Sequence, residues 1–174
     1  MSGVTVTENA ERLAMIRECM LFLASHAVAV GIPAKNDARP GPYSNTALLA
    51  LHEAGSPVNR VPPRPVMKPA LSRDGVREEM ADALLRAAYA AADGNAPEMI
   101  ACMETAGEAG AKAIRDYIKG GSAAPNAPIT VNGGWMRNRV SGKPVYIRGK
   151  GSSVPLVDTG TLLNAFGYEI REDT

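Results

Sequence analysis

Leu13, Ile16, Met20, Leu23 and Ala27 recur at alternating steps of three and four, which lays one apolar stripe along a helix beginning near Asn9. Val28 to Ile32 then reads as a strand, stopped by Pro33. Between Pro33 and Pro69 lie eight of the thirteen prolines. Each removes a backbone donor and fixes φ, so 33–72 is expected as an ordered but irregular proline-rich track. Asn45 to Ala54 interrupts that track, where Leu48, Leu49 and Leu51 predict a short helix ended by Gly55. A long helix is predicted from about Arg73 to Ala92, rich in alanine and strongly helix-prone. Asp93-Gly94-Asn95 breaks it, and Pro97 starts a third helix from a first-turn position that tolerates proline.

That third helix carries Met99, Met103, Ala106, Gly110, Ala113 and Tyr117 on one face, beside Gly107, Ala109 and Ala111. A glycine inside a helix costs about 1 kcal/mol relative to alanine, and close approach of another backbone is the usual reason to accept that. Two partners stay open: the Ala-rich second helix of the same chain, favoured by short antiparallel connections, and a neighbouring subunit. Beyond Gly120-Gly121 the pattern changes to an extended arm over 120–157. Ile129-Thr130-Val131 and Trp135-Met136 flank the turn-like Asn132-Gly133-Gly134 and predict a hairpin, with Val145-Tyr146-Ile147 as a further strand. Near the end, Thr161 to Phe166 predicts a short helix capped by the side chain of Asp158 or Thr159 and closed by Gly167. Tyr168 to Arg171 alternates apolar and charged residues, as a half-buried final strand does.

The 174 residues suit one domain of ordinary size with a core that needs no staples. Cys19 and Cys102 sit in apolar helical contexts and read as small buried hydrophobes in a reducing compartment rather than a disulfide pair. The apolar run Met20 to Ile32 is too short to span a bilayer. Glu8, Glu11 and Glu18 precede it, where a signal peptide wants a basic start, so a soluble protein made in a cytoplasm is expected. A formal charge of +1 steers the whole molecule toward neither DNA nor membrane. The charge is unevenly placed, however: from Gly120 to Val157 there is no acidic residue, while Arg137, Arg139, Lys143, Arg148 and Lys150 are all basic. With Trp135 and Tyr146, such an arm can meet nucleic acid through phosphates and stacking, an acidic rim on a protein neighbour, or simply solvent.

Candidate chemistry narrows quickly. Asp158-Thr159-Gly160 has the composition of an aspartic-protease loop, which needs two such carboxylates sharing one proton. Only 14 residues follow Gly160, too few for the strands and helix that must buttress that loop, and no second Asp-Thr-Gly or Asp-Ser-Gly occurs. His52-Glu53 lacks the second histidine of a zinc-protease helix, since position 56 is serine. Gly149-Lys150-Gly151-Ser152 lacks the earlier glycine of a phosphate loop, with Pro144 in its place. No Gly-x-Ser-x-Gly elbow is present. Neither catalysis, a metal nor a cofactor is expected.

Three blocks taken together resemble a known group. Ala50-Leu51-His52-Glu53-Ala54-Gly55 followed by Val61-Pro62-Pro63-Arg64-Pro65-Val66-Met67-Lys68-Pro69-Ala70-Leu71 is similar to a signature of tailed-bacteriophage neck and tail-completion (head-tail joining) proteins. Ile129 to Trp135 with Ser141-Gly142-Lys143 and Lys150-Gly151 forms the second block, and Pro155 to Ala165 the third. Val66 stands where that family commonly has Phe. The resemblance implies an α+β fold, two to three long helices packed on a small antiparallel sheet with a long extended basic arm, as a single neck-protein domain over 1–174. It further implies a structural, non-enzymatic virion protein in the neck or tail, assembled in the cytoplasm of a host bacterium as a homo-oligomeric ring, expected as a hexamer. Adjacent neck-ring and tail-tube proteins are the implied partners, with genomic DNA passing through the lumen and no membrane. Arg64, Val66, Met67, Trp135, Arg137, Arg139, Tyr146 and Arg148 are the expected subunit-interface residues. The alternative is a DNA-binding accessory protein using the basic arm 135–150.

Overall fold

The computed structural model describes residues 6–57, 61–121, 125–138, 141–151 and 160–173. The protein is α+β. Its described elements run α1 (Val6–Ser25), β1 (His26–Gly31), a 3-10 turn (Ala34–Asn36), α2 (Asn45–Ala54), α3 (Met67–Leu71), α4 (Asp74–Ala92), α5 (Ala96–Lys119), α6 (Pro128–Asn132), β2 (Gly134–Arg137), β3 (Pro144–Ile147), α7 (Thr161–Ala165) and β4 (Gly167–Glu172). Contacts divide them into two compact units, each built from separated stretches: Met1–Pro33, Ala70–Ala113 and Gly167–Thr174 in the first, Ala34–Pro69 and Ile114–Phe166 in the second.

The first unit packs α1, α4 and α5 around one antiparallel pair, β1 with β4, in register from His26 opposite Glu172 to Gly31 opposite Gly167. Cys19 of α1, Ala87, Ala90 and Ala91 of α4, and Met99, Cys102 and Met103 of α5 form its buried cluster, with Val28 and Ile170 of the two strands against it. So many small side chains bring the elements close. The expected stripe on α1 is only partly right. Ile16 and Leu23 are half-buried, but Leu13 and Met20 are exposed, and the buried position is Cys19. The sheet begins at His26, two residues before the predicted strand, because the Ser25 carbonyl accepts from the Asp173 amide (2.8 Å) and β4 pairs with the chain as soon as α1 ends.

The small residues of α5 meet a third partner that neither expectation named, the sheet. A Cβ added to Gly107 would overlap Tyr168 of β4, 2.8 Å from its Cβ, and one added to Gly110 would lie 2.9 Å from Val30 Cγ2 of β1. Met80 of α4 touches the Gly110 position only at its flexible end, at 3.3 Å. The glycines therefore let strands lie against α5, while Ala87, Ala90 and Ala91 of the Ala-rich helix α4, one of the two expected partners, pack with Met99 and Met103 of α5.

In the second unit α2 spans Asn45–Ala54 as predicted. The predicted hairpin through Ile129–Val131 is replaced: Ile129, Thr130 and Val131 lie in α6, which Pro128 starts and Gly133, at φ 76, closes. Proline at the first turn and glycine just past the end frame a helix, and that framing outweighs the β-branched run. The hairpin instead pairs β2 with β3, Trp135 opposite Tyr146 and Met136 opposite Val145. At the C-terminal end, Gly160 (φ 79) occupies the N-cap of α7 with no side-chain cap, and extended Phe166 ends the helix, so Gly167 opens β4 instead of capping. Asp158 and Thr159, the expected caps, lie outside the described residues.

Candidate functional site

The second unit assembles the first motif block into a bracket. Ser44 caps α2 by accepting from the Ala47 amide (3.2 Å), and Asp37 Oδ1 accepts from the Thr46 amide (2.6 Å). That backbone hydrogen bond holds the Asp37 carboxyl below its usual range. At the other end of α2, Gly55 takes φ 72, and a Cβ there would stand 2.7 Å from Pro63 N and 2.8 Å from the Val61 carbonyl. Only glycine fits both demands. The chain turns back through paired Ser56 and Val61, and the Arg64 amide donates to the His52 carbonyl (2.6 Å). Glu53 Oε1 then accepts from the amides of Val66 (2.7 Å) and Met67 (2.8 Å), satisfying donors at the start of α3. The spacing of His52-Glu53-Ala54-Gly55 from Arg64-Pro65-Val66-Met67 is thus that of a hydrogen-bonded loop.

The second block is fixed by backbone against backbone. The Lys150 amide donates to the Thr130 carbonyl and the Gly151 amide to the Val131 carbonyl, both at 3.0 Å. Gly149 lies so close to α6 that a Cβ would sit 2.5 Å from Gly133 N. This locks the segment after β3 onto α6 and holds the β2–β3 hairpin above it. Alternation gives the hairpin two faces. Trp135 and Tyr146 share the outward one, their rings edge-to-face at 5.4 Å and 71% and 57% exposed. Met136 and Ile147 share the other and line a cleft.

That cleft, about 680 Å³, is where the three blocks meet. His52, Val61, Pro62 and Arg64 come from the first block, Ile129, Thr130 and Lys150 from the second, and Gly160, Thr161 and Leu162 from the third. Leu162 and Leu163 of α7 are buried, and α7 packs on α2. Asn36 Nδ2 and Arg115 Nη1 tie the end of α7 by donating to the carbonyls of Ala165 (3.2 Å) and Phe166 (2.9 Å). Arg39, Arg64 and Lys150 all face the cleft, and none of its described lining residues is acidic. Burial, and then the charges of Arg64, Lys150 and Arg39, push the His52 pKa below its usual 6.5, which keeps the ring neutral.

The structure sorts the expected interface residues into two groups. Arg64 and Val66 are buried within the chain, Arg64 donating through Nη2 to the Pro125 carbonyl (3.1 Å), and Met67 is half-buried. Trp135, Arg137, Tyr146 and Arg148 are exposed on or beside the hairpin. Arg139 lies outside the described residues. Arg39 was missed by sequence reasoning: it sits between Ala38 and Pro40 with no periodicity or motif to single it out. Glu53 and Lys150 stood out in the sequence as members of the resemblance blocks, and Lys150 also as a basic residue of the arm, but nothing there marked Glu53 as an acceptor for the α3 amides or Lys150 as a cleft residue. Among the described residues no group of three or more His, Cys, Asp or Glu is placed to hold a metal ion, and no helix is long and apolar enough to cross a membrane. No family model, curated protein or solved structure matches the chain.

Proposed function

We propose that this chain is a structural subunit of the head-to-tail joining region of a tailed-bacteriophage virion, in a tail-completion or neck/terminator role, that acts by assembling with copies of itself into a ring. The observation carrying the reading is the outward face of the hairpin. Trp135 and Tyr146 stack edge to face in solvent, with exposed Arg137 and Arg148 beside them. Large aromatics flanked by arginine are the side chains favoured at the centre of protein interfaces. Close backbone contacts to α6 hold this face rigid, so little conformational entropy is lost on docking. The order of the three sequence blocks supports the virion assignment, and their convergence on one cleft gives that order a physical reason.

A ring of identical subunits uses heterologous joints, in which one face meets a different face of the next copy. Exposed Leu13, Met20 and Leu21, which fall on one side of α1, give it an apolar surface suited to be the second face. Sedimentation of the purified protein tests the reading: the wild type forms a discrete closed oligomer and a Trp135→Ala/Tyr146→Ala variant with unchanged thermal stability does not. A wild type that stays monomeric at high concentration would rule it out.

The second reading is a DNA-binding accessory protein, favoured by the acid-free run of basic residues around the same aromatics. It requires duplex binding whose logarithm falls linearly with the logarithm of salt concentration.

A further inference from the structure

The cleft of the second unit has a chemical character that ring assembly does not use. Arg39, Arg64 and Lys150 enter it from three separate segments. Two polar atoms there, Arg39 Nη1 and His52 Nδ1, are buried with no hydrogen-bond partner among the described residues. Buried polar groups are nearly always satisfied, so an orphaned guanidinium nitrogen and an orphaned imidazole nitrogen lining one cleft mark a place where partners are missing, and for the guanidinium that partner must be an acceptor. The remaining wall is apolar, with Leu48, Ile129, Met136, Ile147 and Leu162 prominent. A volume of about 680 Å³ lies in the range of small-molecule sites, which typically join an apolar lining to a few convergent polar groups.

We infer that this cleft binds a small organic anion, its carboxylate or phosphate head accepting from Arg39 and His52 within the field of Arg64 and Lys150, and its apolar body lying against Met136, Ile147 and Leu162. Arg39 Nη1 supplies a charge-assisted donor. The neutral His52 ring retains one N–H and can donate it on the side facing the head group. Arg64 has its Nη2 committed to the Pro125 carbonyl, so it acts here through charge. Bound anion would also link α2, α6, the hairpin and the start of α7, because each contributes lining residues.

Calorimetry on the full chain with phenyl phosphate, benzoate, inorganic phosphate and neutral benzamide tests this, beside the His52 ring titration followed by NMR. Saturable one-to-one binding of phenyl phosphate or benzoate is expected, and whichever binds tighter identifies the head group. Benzamide and inorganic phosphate bind at least about tenfold more weakly, one lacking charge and the other the apolar body. Bound anion raises the His52 pKa toward its ordinary value by offsetting the neighbouring cations. Arg39→Gln, and independently Lys150→Met, weaken binding about tenfold or more while circular dichroism stays unchanged. Failure of both organic anions to saturate, equal binding of benzamide or inorganic phosphate, or a His52 titration indifferent to bound anion each overturns the inference. A variant that loses its fold leaves the wild-type titration and the ligand series to decide. Ring assembly enters none of these readouts, so the two proposals fail separately.

Discussion

His52 and Glu53 are adjacent in sequence and do opposite things. Glu53 is a structural acceptor, and its removal leaves the amides of Val66 and Met67 without their partner in a part-buried place. Glu53→Ala is expected to destabilise the protein by about 1–3 kcal/mol in urea unfolding, and Glu53→Gln, which keeps an acceptor, by less. His52 is neutral because burial and three cations disfavour its proton. The unfolded chain then binds more protons than the folded one below 6.5, so the stability His52 contributes is complete above that pH and is lost as pH falls beneath it. Asp37 works in the same direction at lower pH: its depressed pKa contributes stability above 3.8 that disappears as pH drops through the folded value. Urea midpoints measured across pH should therefore fall in two steps, and His52→Gln should flatten the upper one alone.

At the scale of elements, α5 and the sheet make the sharpest case. By helix propensity alone Gly107→Ala should stabilise α5 by about 1 kcal/mol. The added methyl would instead run into Tyr168 near its Cβ, where the side chain cannot swing away. We expect a net loss of about 1–3 kcal/mol in thermal or urea unfolding, the usual range for overpacking. Gly107→Ala combined with Tyr168→Ala should lose less than the two single changes summed, since the overlap with the ring carbons goes and only the close contact with Cβ remains. The boundaries of α2 and α4 were legible because composition and breakers act locally: Ser44, Gly55 and Asp93-Gly94 cap and stop a helix wherever it packs. Which face of α1 is buried was not legible, because apolar residues stand nearly all round this helix, Leu13 and Leu21 far from the packed side and Ile16 and Leu23 close to it. The cluster around Cys19 chose. The run Ile129–Val131 was misread for a related reason, since β-branched residues fit a strand locally while Pro128 and Gly133 frame one turn of helix.

For the whole molecule, the ring reading carries an expectation that simple aggregation does not. If the hairpin and the α1 surface are the two halves of one joint, Trp135→Ala/Tyr146→Ala and Met20→Glu/Leu21→Glu proteins should each fail to form rings. Mixed together, they should form a heterodimer through the one intact pair of faces and stop there, because closure needs both faces on every subunit. Mass photometry of the mixture reads this directly. Self-association of either variant by itself would show that the joint lies elsewhere.

The sequence by itself determined the α+β composition of the chain, the extents of α2 and α4, the final strand, the basic character of 120–157 and the three ordered blocks, all of which follow from local chemistry or simple spacing. It did not determine what the blocks build. Arg39 is separated from Lys150 by most of the second unit's sequence, and His52 from Leu162 likewise, yet all four line one cleft. Their convergence depends on the Glu53 bracket, the Gly55 and Gly149 approaches and the docking of α7 on α2. Tertiary structure also decided that α5 keeps its glycines for strands and that the Trp135 and Tyr146 rings face outward while Met136 and Ile147 face in. Burial, charge and orientation in those places belong to contacts between distant segments, which no local pattern encodes.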